Sequence, residues 1–120
     1  MNLTNKPPLG LKSEPSDKDP EHLDYVHRLP CMCCGRIGVE AHHCRDKPDH
    51  EEREIYTRIP GAGRKSHDRD AIPLCMEHHK MFHLFRSDFH EQFGRDYRLI
   101  PKVRELVERL KEDDILGDCL

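Results

Sequence analysis

The chain has 120 residues, 35% of them hydrophobic against 36% charged, with no Trp and a net charge of −3. A typical soluble domain is about 45–50% apolar and about 25% charged, so this length makes one domain whose core is too thin to stand without a staple such as a metal or disulfides. No run of about 18 apolar residues offers a transmembrane helix, and no global basic field marks a nucleic-acid partner, so any such contact has to be local.

Residues 1–20 carry four Pro and almost nothing apolar, and they read as a flexible arm. They lack the apolar stretch of a secretory signal. The chain is therefore expected in a reducing cytoplasm, where clustered Cys argue for metal rather than disulfides. From Pro20 onward, Leu23, Tyr25, Val26 and Leu29 give a short amphipathic helix that ends at Pro30. In CMCCGRIGVEAHHCRD (31–46), a Cys-rich turn leads into Ile37, Val39 and Ala41, whose alternation predicts a strand ending near the His pair. Residues 45–70 are polar, with GAGRK at 61–65, and predict an exposed loop.

AIPL (71–74) reads as a short extended piece, and CMEHHKMFHLF (75–85) as a helix. SDFHEQFG (87–94) predicts a further helix with Ser87 as N-cap and Gly94 as stop. PKVRELVERLKEDD (101–114) opens on Pro and puts Val103, Leu106, Val107 and Leu110 on one face. That face packs in cis or receives a partner, and oligomeric state stays open. The expected organisation is an arm at 1–20, a metal-stapled α+β domain at 21–100, and a C-terminal helix at 101–120 packed on or extending it.

Cys31-x-x-Cys34 and Cys75-x-x-His78 are two chelating half-sites. Zinc takes four soft or borderline ligands in a tetrahedron, and an x2 spacing lets one tight turn supply two of them. Together they predict a structural Zn2+ held by Cys31, Cys34, Cys75 and His78. Such binding contributes on the order of 10 kcal/mol in small domains. Cys33 lies between the first pair and is able to replace a neighbour. Cys44 and Cys119 have no spacing partner.

Removing those ligands leaves His42-His43 and His79-x-x-x-His83. Positions i and i+4 share a helix face, so His79 and His83 can reach one ion, while His78 is turned about 100° away. At a strand end, successive side chains point to opposite faces, so one His of the pair can ligate while its neighbour does not. A metal plus an unligated His is the minimum for hydrolysis: a Lewis acid and a general base. The plainer reading is a second structural metal site or a site without activity.

This arrangement resembles the HNH (ββα-metal, His-Me finger) endonucleases, and most closely the small phage- and prophage-associated HNH proteins. The resemblance rests on Leu29-Pro30-Cys31 to Gly35, Glu40-Ala41-His42-His43, Gly61 to Asp68, and Pro73 to His83, and covers about residues 20–95. It implies a small zinc-stabilised ββα-metal core with flanking helices, in a product of a bacterial host, phage or prophage. It also implies that His42 is a ligand of the catalytic divalent metal (Mg2+, Mn2+, Ni2+ or Zn2+), completed by His79 and His83, with His43 as general base. The namesake Asn is absent. Asp68, which matches the nearer members, or Asp70 stands in that stretch; either could orient His43, approach the metal, or be a solvated loop charge.

Local charge supplies the partner argument. Residues 58–69 hold Arg58, Arg64, Lys65 and Arg69 against the single acid Asp68, a net of +3. Gly61 and Gly63 would let the backbone approach a phosphate, and Arg45 is a further phosphate clamp. No base-reading helix is evident. The expectation is a metal-dependent endonuclease acting on DNA with low sequence specificity, with RNA not excluded and no membrane partner. The alternative is a zinc-binding module that holds nucleic acid or protein without cutting.

Overall fold

The computed structural model describes residues 17–61 and 63–119 of the chain. The order is helix α1 (Pro20–Arg28), strand β1 (Glu40–His43), strand β2 (Ala71–Leu74), then helices α2 (Met76–Leu84), α3 (Arg86–Phe93) and α4 (Ile100–Cys119). Short 3-10 turns occupy His50–Ile55, Asp68–Asp70 and Asp96–Leu99. The class is α+β, and no helix among the described residues is long and apolar enough to cross a membrane.

Most of the flexible-arm expectation falls on residues 1–16, outside the described residues. Its end is tied down. Asp17 accepts from the Asp68 N–H at 3.0 Å, and the Asp19 N–H donates to Asp68 Oδ2 at 2.8 Å. Asp19 also caps α1 through its carboxylate, which accepts from His22 N, and Pro20 sits at the first turn where a missing N–H costs nothing.

The sheet is one antiparallel pair, with Glu40 opposite Leu74, Ala41 opposite Pro73, His42 opposite Ile72 and His43 opposite Ala71. The strand expected from Ile37 starts only at Glu40. Gly38 adopts φ +84, outside the strand region, and leaves Ile37 76% exposed. Pro73 is tolerated because its carbonyl points away from β1, to the Met32 N–H at 3.0 Å. Its nitrogen faces the same outer edge, where no ladder bond is needed.

Residues 45–70 are anchored rather than simply exposed. Tyr56 is buried and donates to the Asp46 carbonyl at 2.8 Å. The Asp70 carboxylate, fully buried, accepts from Thr57 N at 3.0 Å and from Arg104 of α4 at 2.5 Å. At the tip, Arg64 N donates to Gly61 O at 2.9 Å, and Gly63 supplies the positive φ that closes the turn.

Cys75 is the N-cap of α2 without a side-chain cap bond, because its thiol faces another cluster. Ser87 is not the cap of α3; Phe85 occupies that position. The Phe85 N–H closes α2 on Met81 O, and the Phe85 carbonyl accepts from Phe89 N at 3.0 Å. One residue thus ends one helix and starts the next, leaving no loop for a Ser cap. Gly94 stops α3 as its C-cap. The α4 helix runs past the expected 114 and inserts Val103 and Val107 into a core with Val26, Ile72, Phe82 and Phe89. Phe82 and Phe89 meet edge to face at 5.2 Å, a geometry worth about 0.5–1.5 kcal/mol beyond the buried area.

Candidate active site

Two clusters of metal-ligating side chains straddle the β-pair and the start of α2. In the first, Cys31, Cys34, Cys75 and His78 each place one ligand atom within 4.8 Å of the others. Cys34 and Cys75 sulfurs lie 3.8 Å apart, and His78 Nδ1 is 3.2 Å from Cys75 and 3.9 Å from Cys31. Sulfurs at about 2.3 Å from a tetrahedral zinc stand about 3.8 Å apart, so the set is compatible with a structural metal such as zinc.

The turn that offers the first pair is built by its backbone. Gly35 takes φ +78, its N–H bonds to Cys31 O at 2.8 Å, and Cys31 N bonds to Arg36 O at 2.9 Å. Cys33 is not part of the cluster: its N–H donates to the Cys31 sulfur at 3.4 Å. Burial, then the Cys31 sulfur beside it, pushes its own thiol up to about 12, which favours the protonated form over a metal-binding thiolate.

The second cluster joins His42, at the end of β1, to His79 and His83 on α2, again within 4.8 Å. The His42–His79 and His79–His83 ring centroids are 5.1 and 5.0 Å apart. Consecutive helical residues thus serve different clusters, with His78 facing the thiols and His79 the imidazoles.

His42 Nε2 lies 2.8 Å from Asp96 Oδ2, with side chains 1% and 0% exposed. Burial holds the His42 pKa below its ordinary value, against the opposing pull of Asp96, so the ring is neutral. Donation through Nε2–H then leaves Nδ1 with its lone pair free. Burial would raise the Asp96 carboxyl, but hydrogen bonds from His42, Arg45 N and Asp46 N hold it below its usual value. His79 is oriented likewise, its Nδ1 being 2.7 Å from Glu40 Oε1. Burial, and then His79 and His42, push the His83 pKa down. A carboxylate behind a histidine fixes its tautomer and raises its basicity as a ligand.

Asp96 and Glu40 had no role assigned from sequence. Glu40 lay inside a quoted motif. Asp96 is 54 residues from His42, on a turn that carries no spacing signal. Cys44 groups with His42 and Asp96, but burial, then the neighbouring carboxylates, push its thiol well up, so it stays a thiol.

His43 lies outside the three-His set. Its Nε2 is 2.8 Å from Asp68 Oδ1, both side chains being under one-fifth exposed. Burial raises the Asp68 carboxyl, but the His43 hydrogen bond and the Asp19 N–H outweigh it and leave a net lowering. Asp70 does not approach His43. Its carboxylate is taken by Thr57, Arg58 N and Arg104, so it is neither a brace for the base nor a solvated loop charge.

A cavity of about 320 Å3 opens over these groups. His42, His43, His79 and His83 line it together with Arg45, Arg64, Lys65, Gly61 and Gly63. Arg58 and Arg69 do not line it. Arg58 pairs with Asp17 and donates to Lys65 O, and so braces the loop. Arg69 is exposed beside α4, its carbonyl accepting from Arg104.

Residues 12–107 match the family described as "Protein of unknown function (DUF968)". No curated protein matches the chain, and no solved structure matches it.

Proposed function

The chain belongs to the DUF968 family of proteins of unknown function, and from the geometry of its site we propose that it is a metal-dependent endonuclease hydrolysing phosphodiester bonds in DNA. The observation that carries the reading is His43. It shares a cavity with the three-His cluster, is not one of that cluster's ligands, and is braced by a carboxylate at 2.8 Å. A purely structural metal site has no use for such a group. The strand–strand–helix order, with the His pair ending β1 and the H-x3-H on α2, supports the HNH-type ββα-metal reading.

His42, His79 and His83 would hold the divalent ion, which supplies Lewis acidity at the phosphate and the leaving oxygen. The donor set fits: each His presents one nitrogen to a common centre, and two of the rings are held from behind by carboxylates. His43 donates Nε2–H to Asp68, so Nδ1 is free to take a proton from the attacking water. Asp68 is itself clamped by the Asp19 N–H, which keeps the ring in that tautomer. Arg45, Arg64 and Lys65 attract and hold the phosphate through charge.

Plasmid nicking with added Mg2+, Mn2+ or Ni2+ tests this directly. The native chain is expected to nick, and His43→Ala to lose about 10²–10⁴-fold while keeping its zinc content. Native protein that never cuts with any of these metals, or a His43→Ala variant that cuts equally well, overturns the reading. The first outcome, with nucleic-acid binding retained, would leave a zinc-stabilised binding module.

A further inference from the structure

Most Arg side chains outside the catalytic cavity are spent on carboxylates: Arg28 on Asp114, Arg36 on Glu77, Arg98 on Glu52, Arg104 on Asp70. Lys47 and Arg53 are different. Neither makes an ion pair or side-chain hydrogen bond with the described residues, and both line a second cavity of about 250 Å3 with His50, Pro48 and Ile59. The 3-10 turn His50–Ile55 sorts its charges. Glu52 turns away to Tyr97 O–H at 2.6 Å and Arg98 at 2.9 Å, and Asp49 lies 3.7 Å from Arg98. Glu51 and Glu54 are exposed and line neither cavity. What remains facing the cavity is three nitrogen-bearing side chains, two apolar walls and no carboxylate. An uncompensated cation pair in a concave site is an anion receptor.

We propose that this second cavity is a subsite for a backbone phosphate of the same nucleic-acid strand, flanking the one cut at His43. The argument is adjacency. Arg45 and Pro60 line the catalytic cavity, while Lys47 and Ile59 line the second. The two hollows therefore lie on either side of one ridge made of neighbouring residues, which span at most about 7 Å from position 45 to 47. Phosphates recur about every 3.4 Å of axis along each strand, so a strand crossing the ridge brings another phosphate over Lys47 and Arg53 within a few nucleotides. Charge alone is used there, so the subsite holds any sequence equally.

This inference rests on the proposed nucleic-acid substrate, and its test separates the two. Binding of a fluorescent DNA 20-mer is measured against salt in the full-length chain carrying His43→Ala, which binds without cutting. Adding K47Q and R53Q is expected to weaken binding about ten-fold or more at low salt. It is also expected to lower the slope of log affinity against log salt by about 2, alike for unrelated sequences. A control of equal charge, K102Q with R109Q on α4, leaves the slope in place. Both double variants keep native zinc content and melting temperature.

If K47Q/R53Q behaves like the control, the subsite is wrong even if the native chain nicks plasmid, and the cavity is left to free phosphate or an acidic peptide. If the slope falls but native protein never cuts, the subsite stands and the nuclease reading fails. A chain that binds no nucleic acid at any salt overturns both.

Discussion

The two candidate ligand clusters draw on adjacent residues of one helix, yet they differ in donor number, donor type and access to a cavity. The thiol-rich cluster offers four donor atoms, drawn from a backbone-locked turn and the start of α2, and lines neither of the two cavities described above. The imidazole cluster has three, lines a hollow of about 320 Å3, and shares it with a fourth histidine that joins no candidate metal set among the described residues. Coordination closed by protein atoms stabilises, whereas coordination left incomplete admits water or substrate. The difference comes down to which side of α2 a histidine occupies: residues 78 and 79 are turned about 100° from each other.

The sharpest way to break that contrast is to remove a ligand from each side. Cys75→Ser, or a strong chelator, is expected to unfold the chain, since structural zinc contributes on the order of 10 kcal/mol. Loss of the thermal transition by circular dichroism, with loss of bound zinc, checks it. His83→Ala, by contrast, is expected to melt near the native temperature. Equal melting of Cys75→Ser and native protein would erase the distinction.

A smaller effect probes the carboxylate behind His42. Asp96→Asn keeps the shape but weakens the hold on the ring, and is expected to cost about 10–100-fold in second-metal affinity or nicking rate. Calorimetric titration of Mn2+ or Ni2+ into zinc-loaded protein reads it. An unchanged affinity would mean that the buried pair serves packing alone.

The smallest effect concerns pH. Burial holds His22, His42 and His83 below their ordinary pKa, so the folded chain binds fewer protons than the unfolded one. Their contribution to stability is complete above about pH 6.5 and is lost as pH falls from there through the lower folded values. The slope reaches at most about 1.4 kcal/mol per pH unit for each proton taken up. Urea midpoints of zinc-loaded protein between pH 7 and 5 measure the decline. His22→Gln, at a residue of neither cluster, is expected to flatten it in part.

Local spacing explains what could be read in advance. Cys31, Cys34, Cys75 and His78 sit in two x2 pairs, and one turn suffices to bring each pair together, so the residues themselves announce the grouping. Strand β2 and the stop at Gly94 were legible for the same reason. Asp96 was not, because its partner lies 54 residues away and only the folding of the last third of the chain brings them together. Ser87 misled because a good cap residue stood one place inside a helix whose start was already supplied by Phe85. Asp70 stays open between a brace for His43, a metal approach and a loop charge on sequence alone, because its partner Arg104 lies 34 residues on.

The bond from Met32 N–H to Pro73 O has a bearing on how this chain would fail. It lays the cysteine turn along the outer edge of β2, whose Ile72 and Leu74 are wholly buried. Pro73 offers no N–H there, and the turn takes its carbonyl, so the edge is closed to any foreign strand. A metal bound by Cys31, Cys34, Cys75 and His78 would tie that turn to the start of α2. Oxidising or metal-starved conditions would therefore bare an apolar strand at the moment the domain loosens, and aggregation would compete with refolding.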